Sequence, residues 1–132
     1  RILCVGDPDA VPAGRYARQW LSSEEKSGSN IWEGLSNRLS PASDVKATLA
    51  QTLSRNDTVG IVYRTDYLDR KDAARMLLES EVLEARYPIA VTQAGMEKQS
   101  AGAFLRFIQS EIAMEVFREH GFGIVTMPEL NE

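Results

Sequence analysis

The stretch Gly6-Asp7-Pro8-Asp9-Ala10-Val11-Pro12-Ala13-Gly14-Arg15-Tyr16 decides the fold of this chain, because it joins a strand pattern to a helix pattern. The apolar run at residues 2–5 before it is typical of a buried strand. After it, apolar side chains recur at helical spacing: Ala13, Tyr16, Ala17, Trp20 and Leu21. We therefore predict a strand, a turn that Pro8 and Pro12 stiffen, and a helix over residues 14–21.

The start of this helix has the features of an anion-binding site. The small residues Ala13 and Gly14 leave its first N–H groups uncovered. Free N–H groups and the positive end of the helix dipole together attract anions. A second helix start follows Ser43-Asp44, where either residue is a good N-cap, and Val45, Leu49 and Leu53 predict the buried face of that helix.

A third feature is the run at residues 58–63, which is apolar on both faces and predicts a buried parallel strand that ends at Tyr63. In open α/β sheets, ligands bind beyond the carboxyl ends of the strands. The amides of Ala13 and Val45 and the hydroxyl of Tyr63 offer only hydrogen-bond donors there, which suits a small anion. The residues alone leave a second interpretation open, in which these are ordinary helix starts and Tyr63 is a core tyrosine.

The remaining elements follow from shorter patterns. Residues 22–29 are polar and predict a loop. A short helix carrying Ile31, Trp32, Leu35 and Leu39 is predicted to end at Ser40-Pro41. Residues 69–82 fit a helix or a strand equally well, and residues 87–91 predict a strand. Two amphipathic helices follow, the second with a Ser110 N-cap and a Gly121 C-cap, and residues 126–132 predict a frayed tail.

Strand patterns thus alternate with helix patterns, so the fold class is α/β with a mostly parallel sheet flanked by helices. The sequence has 132 residues and begins at Arg1, and we interpret it as a piece of a longer protein, truncated at its N-terminus. The charged stretch at residues 79–86 is the best boundary. It divides the chain into residues 1–82, most of one lobe, and residues 83–132, a hinge return and C-terminal helices.

Composition excludes several classes of protein. The net charge of −4 argues against a nucleic-acid partner, whose phosphates need a basic face. No apolar run approaches the ~18 residues of a membrane span. The single cysteine, Cys4, lies in the first strand pattern and is interpreted as a core residue.

The sequence also contains little that indicates an enzyme. The sequence has no G-x-S-x-G elbow, no P-loop and no G-x-G-x-x-G, and its single histidine, His120, is placed to interact with a helix end. We predict a binding protein without a catalytic residue, a metal-cation ligand or a cofactor.

Several motifs together resemble the periplasmic molybdate-binding proteins of bacterial ABC transporters. They occur in order along almost the whole chain: Gly6-Asp7-Pro8, Val11-Pro12-Ala13-Gly14-x-Tyr16-Ala17, Asp44-Val45-x-Ala47, Gly60-Ile61-Val62-Tyr63-x-Thr65-Asp66, Tyr87-Pro88-Ile89-Ala90-Val91, Ala103-Phe104-Leu105-x-Phe107 and Phe117-x-x-x-Gly121-Phe122. Three features depart from the family pattern. The family's two serine donors lie upstream of Arg1, the loop at residues 22–30 is long, and residues 69–86 lack the usual acidic-proline character.

The resemblance implies a two-lobed periplasmic binding protein that closes on molybdate or tungstate and delivers it to a membrane permease. By motif, it implies that the amides of Ala13 and Val45 and the hydroxyl of Tyr63 hold the oxyanion. The alternative is the effector-binding domain of a transcription regulator, which uses a related two-lobe fold. We further expect the 132-residue chain by itself to self-associate, because the apolar faces of Phe104, Phe107 and Phe117 would pack on the lobe that it lacks.

Overall fold

The computed structural model describes residues 1–26, 29–80 and 83–125, with residues 25, 26 and 29 described by their backbone only. The chain divides into two compact units, Arg1–Glu84 and Ala85–Glu132. The division falls inside the charged stretch at residues 79–86. The assignment of the two segments to different ligand-binding lobes stays a prediction.

The first unit contains five strands and four α-helices in the part of it that is described. In chain order its elements are β1 (Ile2–Gly6), α1 (Pro12–Ser23), β2 (Glu25–Lys26), β3 (Ser29–Asn30), α2 (Ile31–Leu35), a 3-10 turn (Ser36–Arg38), β4 (Leu39–Ala42), α3 (Val45–Leu53), β5 (Thr58–Gly60) and α4 (Arg64–Leu68). The second unit contains α5 (Gln93–Met96), α6 (Gln99–Ile108) and α7 (Glu111–Glu119).

A three-stranded parallel sheet forms the centre of the first unit, with strand order β4-β1-β5. In β1, Gly6 pairs with Ala42 of β4 on one side, and Cys4 pairs with Gly60 of β5 on the other. Cys4 is buried as a free thiol. The predicted α/β class with a parallel sheet flanked by helices is therefore confirmed.

The hydrophobic core forms where α1 packs on β1. Val5 has no exposed surface, and Leu3 and Ala17 are buried with it. Partly buried apolar side chains complete the cluster: Leu21, Trp32, Leu35, Leu39, Val59 and Ile61. The predicted first strand and first helix are confirmed, and both supply the core.

The predicted loop at residues 22–29 is wrong in part. Helix α1 continues to Ser23, and β2 pairs with β3 as a short antiparallel ladder in which Glu25 lies opposite Asn30. The backbone N–H of Ile31 also donates to the Glu24 carbonyl at 3.0 Å. Polar side chains do not prevent a strand pair, because the backbone groups supply its hydrogen bonds.

Strand β4 was not predicted, and the expected end of the second helix at Ser40-Pro41 is wrong. Leu39 begins β4 and packs on the core, whereas the helix ends at Leu35. Pro41 occupies the β4 position opposite Val5. β4 is an edge strand of the described sheet, and an edge strand tolerates proline because one side of its ladder is unpaired.

Helix α3 is most deeply buried at Thr48, which lies on the same face as the predicted apolar residues. Val45, Leu49 and Leu53 are only partly buried, whereas Thr48 has no exposed surface. A Cβ at Gly60 would overlap the Thr52 hydroxyl, so the helix lies close against β5 at this point. The Thr48 hydroxyl donates to the Asp44 carbonyl at 2.9 Å, which satisfies it within its own helix.

The predicted strand over residues 58–63 is shorter in the structure. β5 contains three residues, and Ile61 extends its ladder by one bond, from its N–H to the Cys4 carbonyl at 3.1 Å. Tyr63 is then the N-cap of α4. The apolar pattern at residues 58–63 therefore covers both the strand and the approach to the next helix.

In the second unit, both amphipathic helices are confirmed as α6 and α7. Ser110 caps α7 through the N–H of Ala113 at 3.4 Å, and Gly121 follows that helix with φ 85°. The predicted strand at residues 87–91 is wrong, because no described strand pairs with this segment. Of the segment 69–82, residues 69–80 form neither the helix nor the strand expected for them. Residues 81–82 of that segment and the predicted tail at residues 126–132 lie outside the described residues.

Candidate anion-binding site

The first predicted donor, the amide of Ala13, lies in the first turn of α1. Val11 is the N-cap of this helix but makes no side-chain capping bond, and Pro12 has no N–H to donate. Ala13 and Gly14 are buried. Among the described hydrogen bonds, neither of their amides has an acceptor, so α1 begins with two donors available at its positive end.

The turn before α1 is held rigidly at the end of β1. The N–H of Asp7 donates to the Ala42 carbonyl at 2.8 Å, which ties the turn to the end of β4. The Asp7 carbonyl accepts from Val11 at 2.7 Å, and its carboxylate accepts from the N–H of Asp9 at 2.9 Å. Arg18 of α1 pairs with the Asp9 carboxylate at 3.0 Å. These bonds fix where the Ala13 amide lies relative to the sheet.

The second predicted donor, the amide of Val45, is the first N–H of α3. Of the two predicted candidates, Ser43 and Asp44, Asp44 is the N-cap, and its Oδ1 accepts from the N–H of Ala47 at 2.8 Å. This bond is the main cause that holds the pKa of Asp44 below its ordinary value. The Ser43 hydroxyl also donates to the Asp44 carboxylate, at 3.3 Å. The Val45 amide has no acceptor among the described hydrogen bonds.

The third predicted donor, the hydroxyl of Tyr63, belongs to a residue that connects β5 to α4. Tyr63 is partly buried, and its carbonyl accepts from the N–H of Tyr67 at 3.2 Å. Its backbone is extended, with φ −70° and ψ 152°. Tyr63 therefore lies between the end of β5 at Gly60 and the start of α4 at Arg64.

Sheet topology places the three predicted residues at one edge. Because β4, β1 and β5 are parallel neighbours, their carboxyl ends meet at the same side of the sheet. Each strand leads into one predicted residue: β1 into Ala13, β4 into Val45 and β5 into Tyr63. This edge is where open α/β sheets bind their ligands.

Asp66 is a residue of this region to which the sequence pattern gave no role. It occupies the third position of α4, three residues after the N-cap Tyr63. Its Oδ2 is buried and has no hydrogen-bond partner among the described residues. Burial raises the pKa of this carboxyl above its ordinary value, while a backbone hydrogen bond to Tyr63 opposes the rise. The sequence did contain a signal for Asp66. The spacing Tyr63-x-x-Asp66 is the spacing between an N-cap residue and an acidic residue at the third position of a helix.

Two other kinds of feature are absent from the described ranges, residues 1–26, 29–80 and 83–125. No three His, Cys, Asp or Glu side chains there gather in an arrangement that could hold a metal ion. Nor does any helix there combine the length and the apolar character that crossing a membrane requires.

The α/β fold and the donor-bearing edge of its sheet are features of a solute-binding protein. The family model described as "Bacterial extracellular solute-binding protein" matches residues 1–123, and the chain belongs to that family.

Curated relatives agree with this assignment. The chain is 36% identical over 124 residues to "Molybdate-binding protein ModA" of Escherichia coli (strain K12), with 92% of this chain and 46% of the relative covered. It is 30% identical over 123 residues to the protein of the same name from Haemophilus influenzae (strain ATCC 51907 / DSM 11121 / KW20 / Rd), with 92% and 46% covered. It is 28% identical over 125 residues to "Putative ABC transporter substrate-binding lipoprotein YvgL" of Bacillus subtilis (strain 168), with 91% and 45% covered. The chain thus spans about half the length of these relatives.

Proposed function

We propose that this chain is part of the solute-binding component of an ABC importer whose ligand is a tetrahedral oxyanion, molybdate or tungstate. In this proposal, the amides of Ala13 and Val45 and the hydroxyl of Tyr63 hold the oxyanion. The observation that supports it is that three neighbouring parallel strands each lead into one of these residues at a single edge of the sheet. The names of the two ModA relatives support the choice of ligand.

Neutral donors can replace the hydration of a dianion when several of them converge on it. A hydrogen bond to a charged group contributes about 1.5–3 kcal/mol, compared with ~1 kcal/mol for a neutral pair. Each helix end adds roughly 0.3–1 kcal/mol, and more where it is partly buried. Both features apply at α1, whose first two amides are buried and have no described acceptor.

A donor-only site also selects among anions. A protonated oxyanion such as hydrogen phosphate brings an O–H that needs an acceptor, and an unpaired polar group in a closed site costs binding energy. Molybdate and tungstate are fully deprotonated near neutral pH and bring acceptors alone. Sulfate shares that property, so cavity size has to discriminate against it.

The wider role follows from the same proposal. Membership of an extracellular solute-binding family and the substrate-binding lipoprotein among the relatives support a periplasmic location and a membrane permease as partner. The function then needs no catalytic step and no cofactor other than the transported ligand. The matching relatives are named as binding proteins, which supports this function over an effector domain of a transcription regulator.

Isothermal titration calorimetry on the full-length protein tests the proposal. We expect similar affinities for molybdate and tungstate and poor binding of phosphate near neutral pH. Phosphate as the tightest ligand would contradict the donor-only site. Sulfate bound as tightly as molybdate would show that the oxyanion class is right and that the choice of molybdate is wrong.

A further inference from the structure

Arg18, in the second turn of α1, connects this helix to the turn that precedes it. Its Nη1 donates to the Asp9 carboxylate at 3.0 Å, and its Nη2 donates to the Pro8 carbonyl at 3.3 Å. Side chains of a helix lean towards its N-terminus, so an arginine at this position can reach residues before the helix start. Because the guanidinium is planar and has several donors, it makes both bonds at once.

The two residues that Arg18 bonds lie in a turn that is also fixed to the sheet. The N–H of Asp7 donates to the Ala42 carbonyl of β4 at 2.8 Å, and the Asp7 carboxylate accepts from the N–H of Asp9 at 2.9 Å. Among the described hydrogen bonds, the Pro8 carbonyl accepts from Arg18 alone. Arg18 thus supplies side-chain bonds that join this turn to α1.

The start of α1 needs such support because no side chain caps it. Val11 makes no capping bond. A capping oxygen at this position would accept from the amide of the second or third helical residue, which are Ala13 and Gly14. The Ala13 amide is a proposed oxyanion donor, so a cap there would compete with the ligand. A guanidinium has only N–H donors, so Arg18 holds the turn without occupying either amide.

Arg18 also lies on the face of α1 that contacts the sheet. It follows Gly14 by four residues, and residues at this spacing share a helix face. Gly14 lies against the Gly6 carbonyl at the end of β1. The bonds of Arg18 therefore act on the side of the helix where the end of the strand, the turn and the helix start meet.

We propose that Arg18 is a positioning residue for oxyanion binding, which holds the turn at Pro8 and Asp9 against α1 and so keeps the Ala13 amide free and correctly directed. The inference rests on the proposed function, because it assigns Arg18 no contact with the ligand. Misaligned hydrogen bonds are weak, so a turn without the Arg18 bonds spends part of its time in conformations that bind poorly. The apparent affinity falls by the fraction of competent conformations that is lost.

Molybdate titrations of full-length variants by calorimetry give the first test. Arg18→Ala should bind molybdate roughly three- to fivefold more weakly, which is the range expected for the loss of an exposed ion pair. The side chain of Arg18 is 42% exposed and that of Asp9 83%, so the thermal midpoint of the ligand-free protein should change little. Arg18→Lys keeps the charge but lacks the planar fork, and its affinity should lie between the two.

Asp9→Ala separates positioning from long-range charge. Removal of an acidic side chain near an anion site strengthens binding if only the net charge matters. If Asp9 anchors Arg18, binding becomes roughly twofold weaker instead, and the loss caused by Arg18→Ala shrinks in the Asp9→Ala background. Tighter molybdate binding by Asp9→Ala would overturn the proposal, as would additive losses in the double variant.

Two arginines serve as controls, and both variants should keep the affinity of the wild type. Arg15→Ala removes the same charge from an exposed position of α1. Arg55→Ala breaks another exposed pair, in which Arg55 contacts Asp57 at 3.2 Å directly before β5, at the opposite end of the sheet from the proposed site. If either variant loses as much affinity as Arg18→Ala, the effect is not specific to the turn and the proposal is overturned.

The same titrations distinguish this inference from the proposed function. A wild-type protein that binds neither molybdate nor tungstate would show that the proposed function is wrong, and the role of Arg18 is then overturned with it. If the wild type binds molybdate and folded Arg18→Ala binds it equally well, the site stands and only the role of Arg18 is overturned. Circular dichroism establishes folding. If Arg18→Ala does not fold, Asp9→Ala decides alone, because weaker binding supports the proposal and equal or tighter binding overturns it.

Discussion

Gly14, the third residue of α1, lies directly against the backbone carbonyl of Gly6 at the end of β1. A Cβ at Gly14 would overlap the Gly6 oxygen and would lie 2.6 Å from the Gly6 carbonyl carbon and 2.7 Å from that of Asp7. Backbone atoms cannot rotate away as the end of a side chain can. The absence of a side chain at position 14 therefore determines how closely the start of α1, with its free amides, approaches the sheet.

The first prediction follows from this contact. Gly14→Ala should push α1 away from β1 and should destabilise the fold by roughly 1–3 kcal/mol, the usual cost of overpacking a core. Oxyanion affinity should fall with it, because the Ala13 amide moves. Denaturant unfolding and calorimetry on the full-length protein measure the two effects.

Gly34→Ala is the control for this substitution. Gly34 lies in α2, and a Cβ there would meet nothing within 4 Å. Alanine favours a helix over glycine, so stability should hold or rise slightly. If the two variants behave alike, the close approach of Gly14 to Gly6 does not limit the position of α1.

The second prediction concerns the hydroxyl of Tyr63. In the full-length protein, Tyr63→Phe should cost about 1.5–3 kcal/mol of oxyanion affinity, the value of one hydrogen bond to a charged group. The thermal midpoint of the ligand-free protein should change little. Tyr67→Phe is the control, because Tyr67 lies in α4, the short helix that Tyr63 caps, and this variant should bind normally. A sharply lower midpoint with unchanged affinity would identify Tyr63 as a core residue.

The third prediction concerns the dependence of stability on pH at the start of α3. The pKa of Asp44 is lowered mainly by its bond to the Ala47 amide, so the folded state binds the proton of this carboxyl more weakly than the unfolded state does. Its contribution to stability is therefore present above the ordinary pKa of 3.8 and is lost as the pH falls through the lowered, folded-state value. Burial raises the pKa of Asp66, so its contribution has the opposite sign and is lost as the pH rises.

Unfolding midpoints measured from pH 7 down to pH 2 test the sign for Asp44. Asp44→Ala should be less stable than the wild type at neutral pH, and the difference should narrow as the pH falls below about 4. Asp44→Asn retains a side-chain acceptor for the cap and should lie between the two at neutral pH. A difference between wild type and Asp44→Ala that widens on acidification would contradict the capping role.

Elements that bury a periodic apolar face could be predicted from the sequence. The apolar run at residues 2–5 predicted β1, and the helical spacing from Ala13 to Leu21 predicted α1. Both elements face the core of the first unit. The N-caps Asp44 and Ser110 gave the starts of α3 and α7, because a capping side chain acts within a few residues. The location proposed for the site was inferred from the same features, because it depends on where strands end and helices begin.

Features that depend on tertiary partners could not be predicted in this way. The sequence of β4 contains Pro41, which predicts the end of a helix, but the segment forms a strand because it pairs with β1. Thr48 is the most deeply buried residue of α3, and Thr52 lies close against Gly60 of β5. Threonine is a polar residue, so its position in the sequence does not signal this burial. Residues 87–91 carry strand composition without a described strand beside them, so composition alone predicted a strand that is not formed.

The fourth prediction concerns the 132-residue chain by itself, beginning with its affinity. Three charge-assisted bonds from Ala13, Val45 and Tyr63 would contribute about 5–9 kcal/mol. Immobilising the ligand costs an estimated ~4 kcal/mol or more, and the resemblance places two further serine donors outside this chain. Since millimolar binding corresponds to about −4 kcal/mol, the affinity for molybdate should be millimolar or weaker.

The same chain should self-associate through the apolar surface of its second unit. Phe104 and Phe107 of α6 are 58% and 56% exposed, and Ile112 of α7 is 75% exposed. Apolar side chains exposed together on two adjacent helices favour burial against a second copy. Sedimentation velocity should show dimers or larger species at micromolar concentration, and Phe104→Ser together with Phe107→Ser should shift them towards monomer.

Gly102→Ser, on the same helix, is the control and should leave the association unchanged, because it removes no apolar surface. A well-behaved monomer that binds molybdate with micromolar or tighter affinity would refute both halves of this prediction.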